Sequence, residues 1–357
     1  MISPNNRYGH VIGLGLIGAS VALALRDAGW TVTGDDLIPE TVQAALDAGI
    51  IQGRELGADH TLVVVATPAG AVATIVNEVL AANANPALLV TDVAGVKSAI
   101  VAQVKDPRFL GGHPMAGSEQ RGLKGARADL FQGCNWVLTP TDATRPEVYS
   151  TLHGILREIG ANVVAVSADD HDRLVALASH VPHLLAGALM NEAAEAAEQD
   201  AVLLQLAAGG FRDMTRVAAG DPSMWPDVLF ENRVAITRTL EALEARLEQL
   251  RLALETNGRD MVEKSLHTAS EARRLLPGRA LNSENLAYIR VVISDQPGSL
   301  AAVTRAASEL LINIYDIEIA HGIEGVGGTL LLAVDAQQAS RLQEALSELD
   351  FKVAQEK

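Results

Sequence analysis

The stretch Val11-Ile12-Gly13-Leu14-Gly15-Leu16-Ile17-Gly18-Ala19-Ser20 runs from apolar residues into three glycines spaced G-x-G-x-x-G without a polar break. A buried strand, a tight turn and the opening of a helix satisfy that pattern together. Gly13 permits the turn, Gly15 leaves room for a pyrophosphate against the backbone, and Gly18 lets the helix pack closely on the strand. The phosphates would then rest on the N–H groups of the helix N-terminus.

With 30 glycines in 357 residues the spacing alone is a weak signal, and its surroundings give it weight. A helical pattern covers residues 16–28, Gly29 follows as a cap, and a second strand over residues 31–33 ends in Gly34-Asp35-Asp36. That end falls about 20 residues beyond the glycines, where a ribose-binding carboxylate is expected, and Asp36 is the better placed of the two acids. No Lys or Arg lies between Asp27 and Gly53, so a 2′-phosphate would meet carboxylate without a cation, which favours NAD over NADP. The expected cofactor contacts are Gly13, Leu14, Gly15, Leu16, Ile17, Gly18 and Asp36, joined by Thr67, Pro68 and Asp92 at later strand ends.

The strand–helix alternation continues to about residue 110, which predicts a doubly wound parallel sheet of Rossmann type. Strands over residues 135–138 and 162–166, with a helix over 146–159 between them, complete a dinucleotide-binding domain over residues 1–166. From Ser167 strand signals stop. Helical patterns over residues 168–197, interrupted by Pro182, and over 226–255 predict an all-helical substrate and dimerisation domain over residues 167–283. Ile236, Leu240, Leu243, Leu247, Leu250 and Leu254 draw one apolar stripe, whose partner is a second subunit or another helix of the same chain. The last segment, residues 286–357, alternates as βαββαβ, a ferredoxin-like sandwich.

Charge and cysteine content restrict the partners. The formal net charge of −16 argues against nucleic acid or an anionic membrane, and an anionic substrate would need local cations. Cys134 is the single cysteine, which excludes an intrachain disulfide and fits a reducing cytoplasm. The first apolar run is broken by glycines and shorter than the roughly 20 residues of a membrane span, so neither a signal peptide nor a membrane segment is expected.

Among nine histidines, most have no surroundings that suggest chemistry. His113 is an exception, following two glycines at a strand end in Gly112-His113-Pro114-Met115-Ala116-Gly117-Ser118-Glu119. His180 and His183 lie three apart in Ser179-His180-Val181-Pro182-His183, and Gly209-Gly210-Phe211-Arg212-Asp213-Met214-Thr215-Arg216 is a glycine turn loaded with guanidinium groups. A two-histidine metal site is the rival reading of the His180 helix, but no third ligand follows at a metal-like spacing, so no metal is expected.

In these motifs, together with the turn from Thr91-Asp92 to Lys97 and with Asp221-Pro222 and Trp225, the chain resembles the prephenate dehydrogenase family over essentially its whole length. The family oxidises a 4-hydroxycyclohexadiene with NAD and releases the ring carboxylate as carbon dioxide, driven by aromatisation. The resemblance implies His113 as the general base, with Ser118 and Arg216 in the catalytic set. It further implies a dicarboxylate pocket for prephenate involving Ser179, His180, His183, Arg212, Asp213 and Glu119, and a homodimer. The C-terminal unit, with Asp295-Gln296-Pro297-Gly298-Ser299-Leu300 and Asn313-Ile314, resembles an ACT domain. That resemblance implies a tyrosine or phenylalanine effector held by Asp295, Pro297, Gly298 and Asn313.

One departure stands out. The family usually has a serine before Val-Lys, hydrogen-bonded to the catalytic histidine, where this chain has Ala94-Gly95-Val96-Lys97. A water or Ser118 would have to orient His113, or turnover would be slower. The rival functions are an arogenate or cyclohexadienyl dehydrogenase, a β-hydroxyacid dehydrogenase, which would rely on a lysine in the helical domain, and a catalytically idle amino-acid sensor.

Overall fold

Leu62-Val63-Val64-Val65 is apolar at every position and buried at every position, the mark of a strand covered on both faces. It forms one of the inner strands in a computed structural model that describes residues 7–117, 120, 122–200, 202–220, 222, 225–274, 286–294, 296, 298–321 and 328–356. The chain divides into two units, Met1–Glu244 and Ala245–Lys357.

The first unit opens with β1 (Tyr8–Ile12), α1 (Leu16–Asp27), β2 (Thr31–Asp35), α2 (Pro39–Asp47), β3 (Leu62–Val65), α3 (Ala69–Ala82), β4 (Leu89–Asp92), α4 (Ser98–Gln103) and β5 (Phe109–Pro114). Then come β6 (Asn135–Thr139), α5 (Pro146–Glu158) and β7 (Asn162–Ala165), giving a seven-stranded sheet in the order β2-β1-β3-β4-β5-β6-β7. Helices cover both faces: Val72, Val76 and Leu80 of α3 recur four apart and close over Val63, Val65 and Val90, while α1, α2 and α5 cover the opposite face.

Two expectations are corrected here. The sheet is not parallel throughout, because β6 runs antiparallel to β5, with Gly111 opposite Thr139 and His113 opposite Val137. Among its described residues the link between these strands holds a 3₁₀ turn, Gly122–Gly125, and no crossover helix of the kind a parallel pair needs. The same pairing extends β5 through Pro114, past the limit near residue 110 expected for the alternation, with His113 at its C-terminal end.

The helical part of this unit starts at α6 (Ala168–Val175), capped by the Ser167 hydroxyl, which accepts from the Asp170 N–H at 3.1 Å. A π-helical turn, Ala176–His180, joins it to α7 (Val181–Gln199). Val181 N–H reaches back five residues to the Ala176 carbonyl. A proline ring collides with the carbonyl four residues before it, and the wider turn just ahead of Pro182 relieves that collision without ending the helix. The run Ala168–Gln199 is long and apolar enough by composition to cross a membrane, but its first turn is tied to the loop before α4, as described below. The short helices α8 (Leu203–Leu206) and α9 (Gly209–Thr215), a 3₁₀ turn at Arg216–Ala219, α10 (Trp225–Glu231) and α11 (Arg233–Glu255) follow.

The apolar stripe of α11 divides. Ile236, Leu240 and Leu243 pack on Ala176 and Val181 of the same chain, whereas Leu247 and Leu254 are exposed. Beyond it, the second unit holds α12 (Arg259–Arg274), β8 (Leu286–Ile293), α13 (Ser299–Glu309), β9 (Ile314–His321), β10 (Gly328–Asp335), α14 (Ala339–Glu348) and β11 (Lys352–Glu356). From β8 onward these form a four-stranded antiparallel sheet in the order β11-β8-β10-β9, closed by Val303 and Ala307 of α13 and Leu342 and Leu346 of α14.

Candidate active site

The chain leaves β1 through a turn that only glycine allows. Gly13 has φ +93°, and a Cβ there would lie 2.5 Å from the Ala66 carbonyl oxygen at the end of β3. A Cβ on Gly18 would overlap the Gly13 carbonyl, so α1 approaches the strand end more closely than any side chain permits. At Gly15, by contrast, no atom lies within 4 Å of the Cβ position. The helix it starts has no side-chain cap. Neighbouring strands β2 and β3 flank β1 here, and this reversal of strand order is where open α/β sheets bind ligands. The buried hydroxyl of Thr67, just beyond β3, has no hydrogen-bond partner among the described residues. An open cradle at Gly15, an uncapped helix N-terminus and an orphaned hydroxyl at the crevice fit a dinucleotide.

Asp36 directly follows β2, its carboxylate accepting from Leu14 N–H at 2.7 Å and Ile38 N–H at 3.0 Å. Leu14 is corrected: its side chain is fully buried in the core and its N–H is taken by Asp36, so neither is free to meet a cofactor. Leu16 and Ile17 are half-buried, and Pro68 caps α3. Arg54, one residue past the cation-free window, lies 3.6 Å from Asp35.

Asp92 is corrected too. It is fully buried, its carboxylate paired with the equally buried Lys97 ammonium and accepting from Ala94 N–H at 3.0 Å and Gly112 N–H at 3.2 Å. It holds the Ala94–Lys97 turn to β5 and presents nothing to a cofactor. Burial lowers the Lys97 ammonium below its ordinary value, and Asp92 and then Asp172 oppose that.

His113 is half-buried at the end of β5. Its Nδ1 lies 2.8 Å from His171 Nε2, and His171 Nδ1 lies 2.7 Å from Asp172 Oδ1. Asp172 in turn accepts from the backbone N–H groups of Lys97 and Ser98, both at 2.8 Å, so the first turn of α6 is fastened to the turn before α4. Burial raises the Asp172 carboxyl, but the hydrogen bonds from His171, Ser98 and Lys97 bring it below the ordinary value. On the opposite edge of His113, a Cβ at Gly95 would lie 3.8 Å from Nε2 and 3.8 Å from Val228 Cγ1 of α10. Burial, then His171, Lys97 and His180, hold the His113 imidazolium well below the ordinary histidine value of 6.5, with Asp172 pulling the other way.

His180, buried at the end of the π turn, is edge-on to Trp225, and His183 stacks on the same ring at 3.7 Å. Asn232 donates through Nδ2 to the Asp172 carbonyl at 2.8 Å and to His180 Nδ1 at 3.1 Å. Burial first, then His171, lowers His180 to about 4 against the pull of Asp172. Burial also lowers His183. Ser179 is half-buried, and Arg212, Asp213 and Arg216 are exposed, with the Arg216–Ala219 turn packed on α7. Ser118 and Glu119 lie outside the described residues.

Sequence reasoning missed His171, Asp172, Asn232 and the ring of Trp225 as parts of the site. In the second unit, Gly298 is left-handed at φ +99° and opens α13 without a side-chain cap, Ser299 N–H bonds back to the Gln296 carbonyl at 3.2 Å, and Asn313 is exposed just before β9. Asp295 and Pro297 lie outside the described residues.

A dinucleotide crevice, a histidine at the end of another strand of the same sheet and a helical segment bringing further histidines to it define a Rossmann-type dehydrogenase. The family model "Prephenate dehydrogenase, nucleotide-binding domain" matches residues 21–165, and "Prephenate dehydrogenase, dimerization domain" matches residues 167–268. The prephenate dehydrogenase of Bacillus subtilis (strain 168) is 30% identical over 95% of this chain and 96% of its own length. The crystal structure of the A. aeolicus prephenate dehydrogenase, in complex with hydroxyphenyl propionate and NAD+, superposes with a TM-score of 0.69 at 27% identity, over 75% of this chain and 97% of that one. The Synechocystis arogenate dehydrogenase does so with 0.66 at 30% identity, over 74% and 98%. The chain belongs to the prephenate dehydrogenase family, whose members are NAD-dependent oxidoreductases.

Proposed function

We propose that this chain converts prephenate to 4-hydroxyphenylpyruvate, with His113 as the base that takes the proton of the ring 4-hydroxyl. The observation that carries this reading is His113 itself: a strand-end imidazole with Nε2 on the edge toward Gly95 and Val228, and with surroundings that keep it uncharged and able to accept a proton. NAD, when bound, supplies the hydride acceptor. Loss of the ring carboxylate as carbon dioxide leaves a phenolate, and the proton held by His113 returns to it, so the base is regenerated without net proton release.

An acidic chain needs a local cation for a dicarboxylate, and Arg216 fills that role in this reading, with Ser179, His180, His183, Arg212, Asp213, Ser118 and Glu119 around it. Arg216→Ala is expected to raise the prephenate KM about 10- to 150-fold, the equivalent of a charge-assisted contact, with little change in the KM for NAD. Gly13, Gly15, Gly18 and the Thr67 hydroxyl hold the dinucleotide, with Asp36 on its ribose. Division into residues 1–166, 167–283 and 286–357, a homodimer and a cytoplasmic location complete the reading. The exposed Leu247 and Leu254 support the dimer.

Arogenate is the second substrate to test, since a relative carries that activity. Steady-state NADH formation and carbon dioxide release with each compound decide the matter: turnover with prephenate in equal yields of both products is expected, and NADH without carbon dioxide overturns the reading. The βαββαβ unit, with α13 opened by a left-handed Gly298, supports an ACT module that senses tyrosine or phenylalanine there. Calorimetric titration of the full chain with each amino acid tests that, and the absence of heat from both defeats it.

A further inference from the structure

We propose that His171 and Asp172 are positioning residues that lock the tautomer of His113, doing from the Nδ1 side what no side chain at Gly95 can do from the other. The inference rests on His113 being the base. Three observations carry it. Asp172 accepts two backbone N–H groups at 2.8 Å, one on each oxygen, so it is fixed in place and acts as an acceptor only. His171 therefore puts its proton on Nδ1, 2.7 Å from Asp172, and turns the lone pair of Nε2 toward His113. At 2.8 Å from that lone pair, His113 Nδ1 carries a proton, which leaves the lone pair of His113 on Nε2, the edge facing Gly95 and Val228. Only this tautomer can take the substrate's proton there.

The consequence during turnover follows from the same bonds. The hydroxyl O–H bond breaks, its proton goes to His113 Nε2, and the positive charge formed is shared along Nδ1–H to His171 and faced by the Asp172 carboxylate. When the phenolate forms, the proton leaves Nε2 for its oxygen and the starting arrangement returns. Among the described residues, the charged and titratable groups around His113 are Lys97 with Asp92 on the α4 side, His171 and Asp172 on α6, and His180 on the π turn. Lys97 and Asp92 neutralise each other, so among these groups Asp172 is the anion left to face the new charge. Both members of the pair are buried on the core face of α6, at 1% and 6% exposure, where an apolar residue would be the ordinary occupant.

The test is a small series in the full chain: His171→Leu, His171→Gln and His113→Asn. Histidine ¹⁵N spectra at pH 8 read the tautomer directly, and kinetics read the effect. In the native chain His113 is expected with Nδ1 protonated and Nε2 bare. In His171→Leu the Nε2–H form appears and kcat falls at least about tenfold, toward the range of a general-base term, with KM for prephenate and NAD nearly unchanged. Glutamine can accept from His113 and donate to Asp172, so His171→Gln is expected to recover most of the lost kcat. A native spectrum with Nε2 protonated, or a His171→Leu enzyme with normal kcat and unchanged tautomer while His113→Asn is inactive, overturns the proposal alone. Normal activity in His113→Asn overturns the base assignment beneath it.

Discussion

Two histidine chains lie in the first unit, and their hydrogen bonds are nearly the same length. His10 Nδ1 of β1 is 2.7 Å from the Thr33 hydroxyl, which is 2.9 Å from His60 Nε2. His113 Nδ1 of β5 is 2.8 Å from His171 Nε2. They differ in how they end. His60 Nδ1 meets both the N–H and the carbonyl of Gly57, at 2.9 Å and 3.1 Å. A terminus that can donate or accept lets the protons of the whole chain run in either direction, and the hydroxyl between the rings turns to suit. Asp172, ionised and already holding two backbone N–H groups, can only accept, so the second chain has one proton arrangement. Both chains fill buried polar space, but only the carboxylate-ended one gives its outer histidine a defined lone pair, and only that histidine stands at the C-terminal end of its strand.

The largest effect that separates the two chains is on turnover. His113→Asn is expected to lower kcat with prephenate by about 10²–10⁴, while His10→Asn leaves it within about threefold. The native enzyme should hold its activity as pH falls through 6.5, because the His113 imidazolium is disfavoured, and lose it only at lower pH. Equal losses from the two substitutions, measured by NADH formation at saturating NAD, would erase the functional distinction.

In stability against acid the two chains behave alike, because both outer histidines are held below 6.5, and His10 gives the clearer test since it takes no part in turnover. Burial, and the neighbouring His60, lower His10 from 6.5 to about 4 in the folded chain. The unfolded chain therefore binds more protons between those values, so the stabilisation is complete above pH 6.5 and is lost as pH falls toward 4. For His10 the loss between pH 8 and pH 5 comes to about 2 kcal/mol. Urea unfolding followed by tryptophan fluorescence checks this. His10→Gln, which can still bond Thr33, is expected to lose about 2 kcal/mol less than the native chain over that interval. A loss of equal size in both would show that His10 is not a buried neutral group.

How far each chain was legible depends on where its residues fall in the sequence. The glycine turn, Asp36 and His113 were readable because each stands in a contiguous motif whose backbone demands are local: a positive φ, a close helix approach, a strand end. His171 and Asp172 come 58 and more residues after His113, in the acid-rich start of a helix, where Asp169 and Asp170 are ordinary first-turn acids. The signal available was the period. His171, Asp172, Val175 and Ala176 share one helix face, and polar residues on the apolar face of a helix mark a local conflict that function explains. Asp92 misled in the opposite direction, because a carboxylate at a strand end looks free until the lysine five residues on is seen folded back onto it. The reversal at β6 was hidden in a linker whose lack of helical pattern is its only sign.

The smallest expected effect concerns Gly95. Gly95 is not among the glycines with positive φ, and a Cβ there would meet His113 and Val228 at 3.8 Å, ordinary contact distance, so Gly95→Ser fits without displacing either. Its hydroxyl would reach the Nε2 edge and, by donating to it, favour the same tautomer that His171 enforces from Nδ1. Where the lock is intact the hydroxyl adds little, and kcat is expected to change by less than about threefold. In a His171→Leu background the hydroxyl becomes the only group selecting that tautomer, and the same substitution is expected to raise kcat by at least about threefold, a coupling within the range seen for residues sharing one network. The four kcat values of this double-mutant cycle measure that coupling without reference to a structure. Equal effects in both backgrounds would mean that Nδ1 and Nε2 are not two routes to one proton arrangement, and that Asp172 ends its chain no differently from Gly57.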